Sequence, residues 1–119
     1  TLQITYKISQ SSSGTEANGG SEAANISQDG TFVVFYSDAS NLVENDTGGF
    51  RDHFIYNMST AKLGRISMTQ SGVGADAASA SVPAVTNNGS QVLFHTVGSN
   101  LISDDTNAVG DVFLLNRTP

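Results

Sequence analysis

The chain has 119 residues, enough for one compact domain and too few for two ordinary ones. Its 11 acidic and 5 basic side chains give a formal net charge of −6, which disfavours binding to nucleic acid and to anionic membrane surfaces. The sequence has no Cys, which excludes disulfides, thiolate catalysis and Cys-based zinc sites, and no apolar stretch long enough to span a membrane.

Short strands joined by polar turns are predicted along the chain, because only 13% of the residues are charged and Gly numbers 12. The residues Asp29 and Gly30 mark a tight turn. The strand that follows is apolar on both faces, so both faces must be covered. In chain order the predicted strands are residues 3–9, 23–27, 31–37 and 51–58, and the pattern begins again at 65–69.

The second half of the sequence repeats the first at an offset of 59 residues. Residues 26–37, Ile-Ser-Gln-Asp-Gly-Thr-Phe-Val-Val-Phe-Tyr-Ser, align with residues 85–96, Val-Thr-Asn-Asn-Gly-Ser-Gln-Val-Leu-Phe-His-Thr. The same offset aligns Ser-Asn-Leu-Val with Ser-Asn-Leu-Ile and Asp-His-Phe with Asp-Val-Phe, at residues 40–43 and 99–102 and at 52–54 and 111–113. The chain is therefore predicted to contain two units, residues 1–64 and 65–119.

Further upstream the offset changes by one residue. Ile8-Ser9 matches Ile66-Ser67 at an offset of 58. This predicts a one-residue length change in the polar loop between the two matching regions, since loops tolerate insertions.

The motifs carried by these repeats are Ile-Ser-Gln-Asp-Gly, Val-Val-Phe and Asp-His-Phe-Ile-Tyr-Asn, at residues 26–30, 33–35 and 52–57, and their counterparts at 85–89, 92–94 and 111–116. They resemble the WD40-like (PD40-like) repeats of TolB-type β-propellers over nearly the whole chain. Asn88 stands where that family usually has Asp, and Asn25 stands where the second copy has the family's Pro, Pro83. The resemblance implies an all-β fold of two four-stranded antiparallel propeller-type blades, in an extracytoplasmic protein that is secreted, periplasmic or at the cell surface.

Two blades do not close a propeller, because propellers use four to eight. The remaining blades are expected either from a longer chain or from other copies of this one, with three copies giving a six-bladed ring and a non-closing contact giving a filament. The predicted strand at residues 3–9 would then complete the sheet that ends at residues 112–116 of a neighbouring chain. A homo-oligomer is the favoured expectation, because uncovered sheet faces and edges promote association.

Calcium is the one candidate cofactor. Asp105, Asn107 and Asp111 place oxygen atoms at positions 1, 3 and 7 of a calcium-type loop, and the first copy keeps Asp46 and Asp52. Neither loop has the remaining acids of an EF-hand. The alternative is that these side chains bond to nearby backbone amides and shape the loop without an ion.

No arrangement of residues points to catalysis. His53 and His95 fall within predicted strands, where a packing role is expected. The sequence has no Gly-x-Ser-x-Gly elbow and no Gly-rich phosphate loop in a strand-to-helix context. The favoured function is a non-catalytic module for protein–protein interaction or self-assembly. The alternatives are a calcium-dependent or carbohydrate-binding propeller module, or a fragment of a larger propeller hydrolase or lyase.

Overall fold

The computed structural model describes residues 3–43, 51–67, 79–96, 98, 100, 101 and 110–117. Within these ranges the chain is all-β, as the sequence predicts, and has no helix, so no helix among them is suited to crossing a membrane. The strands are β1 (Ser21–Ile26), β2 (Phe32–Ser37), β3 (Asp52–Asn57), β4 (Lys62–Arg65), β5 (Ser79–Val85), β6 (Gln91–Thr96) and β7 (Asp111–Asn116).

The strands form two antiparallel sheets. The first has the order β1-β2-β3-β4, and the second has the order β5-β6-β7. In the first sheet Phe35 lies opposite Phe54, and in the second Phe94 lies opposite Phe113. Phe94 and Phe113 follow Phe35 and Phe54 by 59 residues each. The pairs β2–β3 and β6–β7 therefore have the same register.

The turns before β2 and β6 are built by the same hydrogen bonds. The backbone N–H of Gly30 donates to the carbonyl of Ser27 at 2.9 Å, and that of Gly89 donates to the carbonyl of Thr86 at 3.0 Å. Gly30 and Gly89 have φ angles of 75° and 77°, in the left-handed region that a side chain disfavours. The predicted turn at Asp29 and Gly30 is confirmed.

A hydrophobic core lies between the two sheets. Its buried members come from one face of the first sheet, from the residue after β4 and from the facing side of β6: Phe32, Val34, Ile55, Ile66, Val92 and Phe94. A second core covers the other face of the first sheet and contains Phe35, Ala39, Leu42, Phe54, Tyr56 and Leu63. The first sheet is therefore packed on both faces, as the two-sided apolar pattern of β2 requires.

A β-bulge interrupts both β1 and β5, and the two bulges differ by one residue. In β1 two residues separate the paired positions Glu22 and Asn25. In β5 three residues, ending at the buried Pro83, separate Ala80 and Ala84. The one-residue length change, predicted in the loop before this strand, therefore lies within the strand itself, where β5 has one residue more than β1. A bulge can hold an extra residue because regular pairing resumes on either side of it.

Two strand predictions are wrong. Residues 3–9 form no strand, because alternation is insufficient where the backbone has no strand edge to pair with. The second strand was predicted at residues 65–69. The structure places β4 at Lys62–Arg65 instead, residues 66 and 67 belong to no strand, and residues 68 and 69 lie outside the described part of the chain. Among the described residues the second sheet has three strands in place of the predicted four.

Candidate interaction surface

The outer face of the second sheet is apolar and exposed. Val112 and Leu114 alternate along β7 with side chains that face the core, and they are 67% and 55% exposed. Leu93 of β6 lies opposite Leu114 and is 45% exposed. These three side chains form one contiguous surface, which we call the outer face. Apolar patches of this kind mark interaction sites when several side chains lie together.

The corresponding residues of the first sheet are buried. Val34, His53 and Ile55 precede Leu93, Val112 and Leu114 by 59 residues and are 0%, 0% and 6% exposed. The ring of His53 packs edge-on against Phe94 of the second sheet, with 5.6 Å between centroids. The second sheet therefore covers this face of the first sheet, and among the described residues nothing equivalent covers the outer face.

The opposite side of the first sheet carries a groove of about 320 Å³. Its apolar lining includes Ile8, Val33 and Phe35. Ile26, which pairs with Val33 beside the groove, is exposed, whereas its 59-residue counterpart Val85 packs against the core between the sheets. This side of the first sheet is therefore also less covered than the equivalent side of the second.

The two glycine turns show the same asymmetry. A Cβ placed on Gly89 would lie 2.3 Å from an atom of the Phe32 ring, so the second turn packs directly on the first sheet. A Cβ placed on Gly30 would meet no atom within 4 Å. Arg117 contacts both partners of this packing. Its Nη1 donates to the Gly89 carbonyl at 2.9 Å, and its guanidinium lies 4.8 Å from the centroid of the Phe32 ring.

Asp52 and His53 are fixed to the residues that follow β4. The Ser67 hydroxyl donates to Asp52 Oδ1 at 2.8 Å and accepts from the backbone N–H of His53 at 3.1 Å. The backbone N–H of Ile66 donates to the His53 carbonyl at 2.8 Å. We call this arrangement the Ile66-Ser67 clasp. It extends the pairing of β3 and β4 beyond the end of β4.

A charged cluster borders the first sheet. Arg51 Nε donates to Asp38 Oδ1 at 2.9 Å, and the guanidinium lies 4.6 Å from the centroid of Tyr36. The hydrogen bond from Arg51 holds the pKa of Asp38 below its usual value, and the same bond raises the pKa of Arg51. At the counterpart of Arg51 the second sheet has Gly110, where a Cβ would lie 2.3 Å from His95 Nε2.

The predicted calcium ligands are only partly within the described residues. Asp46, Asp105 and Asn107 lie outside them. Asp52 begins β3 and bonds to Ser67, and Asp111 begins β7, opposite Thr96. Among the described residues no three His, Asp or Glu side chains are grouped as a metal site requires. Calcium binding stays a prediction.

Both histidines lie in strands, as predicted, and so do the stacked phenylalanine pairs. Phe35 stacks on Phe54 and Phe94 on Phe113, with centroids 5.7 Å apart in both pairs. His53 is buried in β3 and His95 is half-buried in β6. The outer face was not among the predicted sites, although apolar residues on both sides of β6 and β7 are a sequence signal for it.

The chain matches no protein-family description, no curated protein and no solved structure in the comparisons made with known proteins.

Proposed function

We propose that the chain is a non-catalytic β-propeller-type repeat module that assembles with further copies of itself, sheet against sheet. The single observation that carries this proposal is the outer face, where Leu93, Val112 and Leu114 are exposed at positions whose counterparts are buried between the sheets. Burying such side chains is the main favourable term in protein association. Covering them with another sheet would repeat a contact that the chain already makes once.

The asymmetry of the chain supports an assembly in which different surfaces meet. The outer face lies on the second sheet, whereas the groove beside Ile26 lies on the first. A contact between two different surfaces leaves one of each free, so it closes into a ring or extends into a filament. Three copies would supply six sheets, within the range that propellers use. The extracytoplasmic setting is a further part of this proposal and rests on the TolB-type resemblance.

The test is to place a charge on the outer face and measure mass in solution. Leu114→Lys should reduce assemblies to monomers, because a lysine buried against a second sheet without a partner is strongly unfavourable. Ser59→Lys is the matched control, since Ser59 is exposed in the turn between β3 and β4 and the change adds the same charge. Multi-angle light scattering over a range of concentrations gives the mass.

We expect a multiple of the chain mass for the unmodified protein and for Ser59→Lys, and a monomer for Leu114→Lys. Thermal unfolding of both variants checks that they are folded. An unmodified chain that stays monomeric at high concentration would show that the outer face does not serve self-assembly.

A further inference from the structure

We infer that residues 4–7 of one copy add to β7 of another copy as its fourth strand, while the first-sheet groove receives the outer face of that other copy. The inference rests on the proposed self-assembly and specifies the partner surface and its register. It places the same N-terminal segment that forms no strand within a single chain into a strand at the contact between two chains.

β4 provides the template for this contact. It pairs antiparallel with β3 and places Lys62 opposite Asn57 and Gly64 opposite Ile55. β7 is the 59-residue counterpart of β3, and β6 is its one neighbour among the described strands. The side of β7 that corresponds to the β4 side of β3 is thus the edge that an added strand would use.

Residues 4–7 are the segment that corresponds to β4. They precede Lys62–Arg65 by 58 residues, the offset that also relates Ile8-Ser9 to Ile66-Ser67. Ile66 packs in the core with Phe94, and Ile8 packs against the core that contains Phe35, the counterpart of Phe94. Ile8, which follows the N-terminal segment, therefore already packs on the first sheet as Ile66, which follows β4, packs on the second.

The core between the sheets shows what would fill the groove. There Ile66, Val92 and Phe94 are in one cluster with Val34 and Ile55 of the neighbouring sheet. The side chains of Val34 and Ile55 thus occupy the space beside the first three residues. Close packing of this kind leaves few voids, and all five side chains are buried.

The groove has counterparts of the lining residues of this core, but not of the two side chains that fill the space beside them. It is lined by Ile8, Val33 and Phe35, the counterparts of Ile66, Val92 and Phe94, and about 320 Å³ of space lies beside them. The counterparts of the two filling residues are Leu93 and Leu114, which are exposed at the other end of the chain. A second copy would bring these leucines into the groove.

The Ile66-Ser67 clasp also has a counterpart. Ser9 corresponds to Ser67, and Asp111-Val112 corresponds to Asp52-His53. In the assembly the Ser9 hydroxyl would donate to Asp111 of the other copy and accept from the backbone N–H of Val112. Ser9→Ala should weaken assembly by about tenfold, since a buried hydrogen bond would be lost.

Engineered cysteines test the register, because the chain has no Cys of its own. The pairing of Lys62 with Asn57 predicts that Ile4 of one copy lies opposite Asn116 of the next. Ile4→Cys combined with Asn116→Cys should give covalent chains of two or more copies on oxidation, seen by non-reducing electrophoresis. Thr5→Cys combined with Asn116→Cys is the matched control, because a shift of one residue turns the side chain to the other face.

The outcomes separate this inference from the proposed function. Cross-linking in the first variant and little in the control supports the register. Assemblies that form by light scattering without preferential cross-linking overturn the strand addition and leave self-assembly standing. A disulfide within a single chain shows that the segment folds back on its own β7 and also overturns the inference. A monomeric chain contradicts the proposed function itself.

Mixing two charged variants tests whether unlike surfaces meet. Leu114→Lys disables the outer face and keeps the groove, whereas Ile26→Lys alters the groove side and keeps the outer face. Each variant alone should be monomeric, and an equal mixture should give dimers that grow no further. Self-association of either variant alone would show that like surfaces pair, and a mixture that stays monomeric would show that the groove and the outer face do not bind each other. Either result overturns the contact between groove and outer face.

Discussion

β3 and β7 have related sequences and different surroundings. Ile55 in β3 lies between the two sheets and is buried, whereas its counterpart Leu114 in β7 is 55% exposed. The same difference separates Gly89, which packs against the Phe32 ring, from Gly30, which faces open space. The burial of a strand position therefore depends on which neighbour covers the strand. The repeat makes each sheet in turn a control for the other.

The largest expected effect comes from truncating the buried member of the Ile55 and Leu114 pair. Ile55→Ala should lower the free energy of unfolding by about 2–5 kcal/mol, because it leaves a cavity in the core. Leu114→Ala should change the stability of the monomer by no more than about 0.5 kcal/mol. Urea unfolding at a protein concentration low enough to keep the chain monomeric measures the free energy of unfolding of both variants.

We expect the two variants to differ by several-fold in their effect on the free energy of unfolding. Equal destabilisation by both would contradict this expectation, since Leu114 would then be covered within a single chain. Repeating the measurement at high concentration should make Leu114→Ala costly as well, because assembly buries this position.

The glycine pair gives the next largest effect. Gly30→Ala and Gly89→Ala both place a side chain in the left-handed region, at a cost of about 1–2 kcal/mol each. Gly89→Ala should cost about 1–3 kcal/mol more, because its Cβ would overlap the Phe32 ring.

Phe32→Ala provides the control for the glycine pair. In that background the additional cost of Gly89→Ala should fall toward the cost of Gly30→Ala, as a double-mutant cycle by urea unfolding would show. An unchanged difference would mean that Phe32 is not the cause.

The smallest expected effect concerns Asp29 and its counterpart Asn88. The Asp29 carboxylate accepts hydrogen bonds from the backbone N–H of Thr31, which has the larger effect, and from the Ser27 hydroxyl. Both lower the pKa of Asp29 below the ordinary value of 3.8. A carboxyl group whose pKa is depressed by folding stabilises the folded state at pH values above the pKa of the unfolded state. This contribution is lost as the pH falls through the pKa of the folded state. Asn88 makes the corresponding bond to the backbone N–H of Ser90 without titrating.

Asp29→Asn should therefore change only the acid side of the stability profile. Thermal unfolding from neutral pH down to about pH 2 should show the unmodified protein losing stability relative to the variant below its ordinary Asp pKa. Asn88→Asp should add the same acid sensitivity to the second turn. Parallel profiles for all three proteins would contradict the assignment.

Local patterns in the sequence predicted the central strands well. The apolar pattern at residues 31–37 and 51–58 corresponds to β2 and β3, within one residue at each end. The Asp29-Gly30 turn was also correct, because a left-handed φ angle selects glycine. Local patterns failed at residues 3–9, where alternation was present and a partner edge was not, and at the bulge that holds Pro83.

The all-β fold of the described residues was predictable from the sequence, because strand periodicity and turn residues are short-range signals. The 59-residue repeat is likewise read directly from the sequence. The tertiary structure sets which copy of each apolar face is covered, because covering a face needs contacts between residues far apart in the chain. It buried Val34, His53 and Ile55 and left Leu93, Val112 and Leu114 at the surface. Equivalent positions in a repeat differ in burial wherever one of them lacks the next sheet.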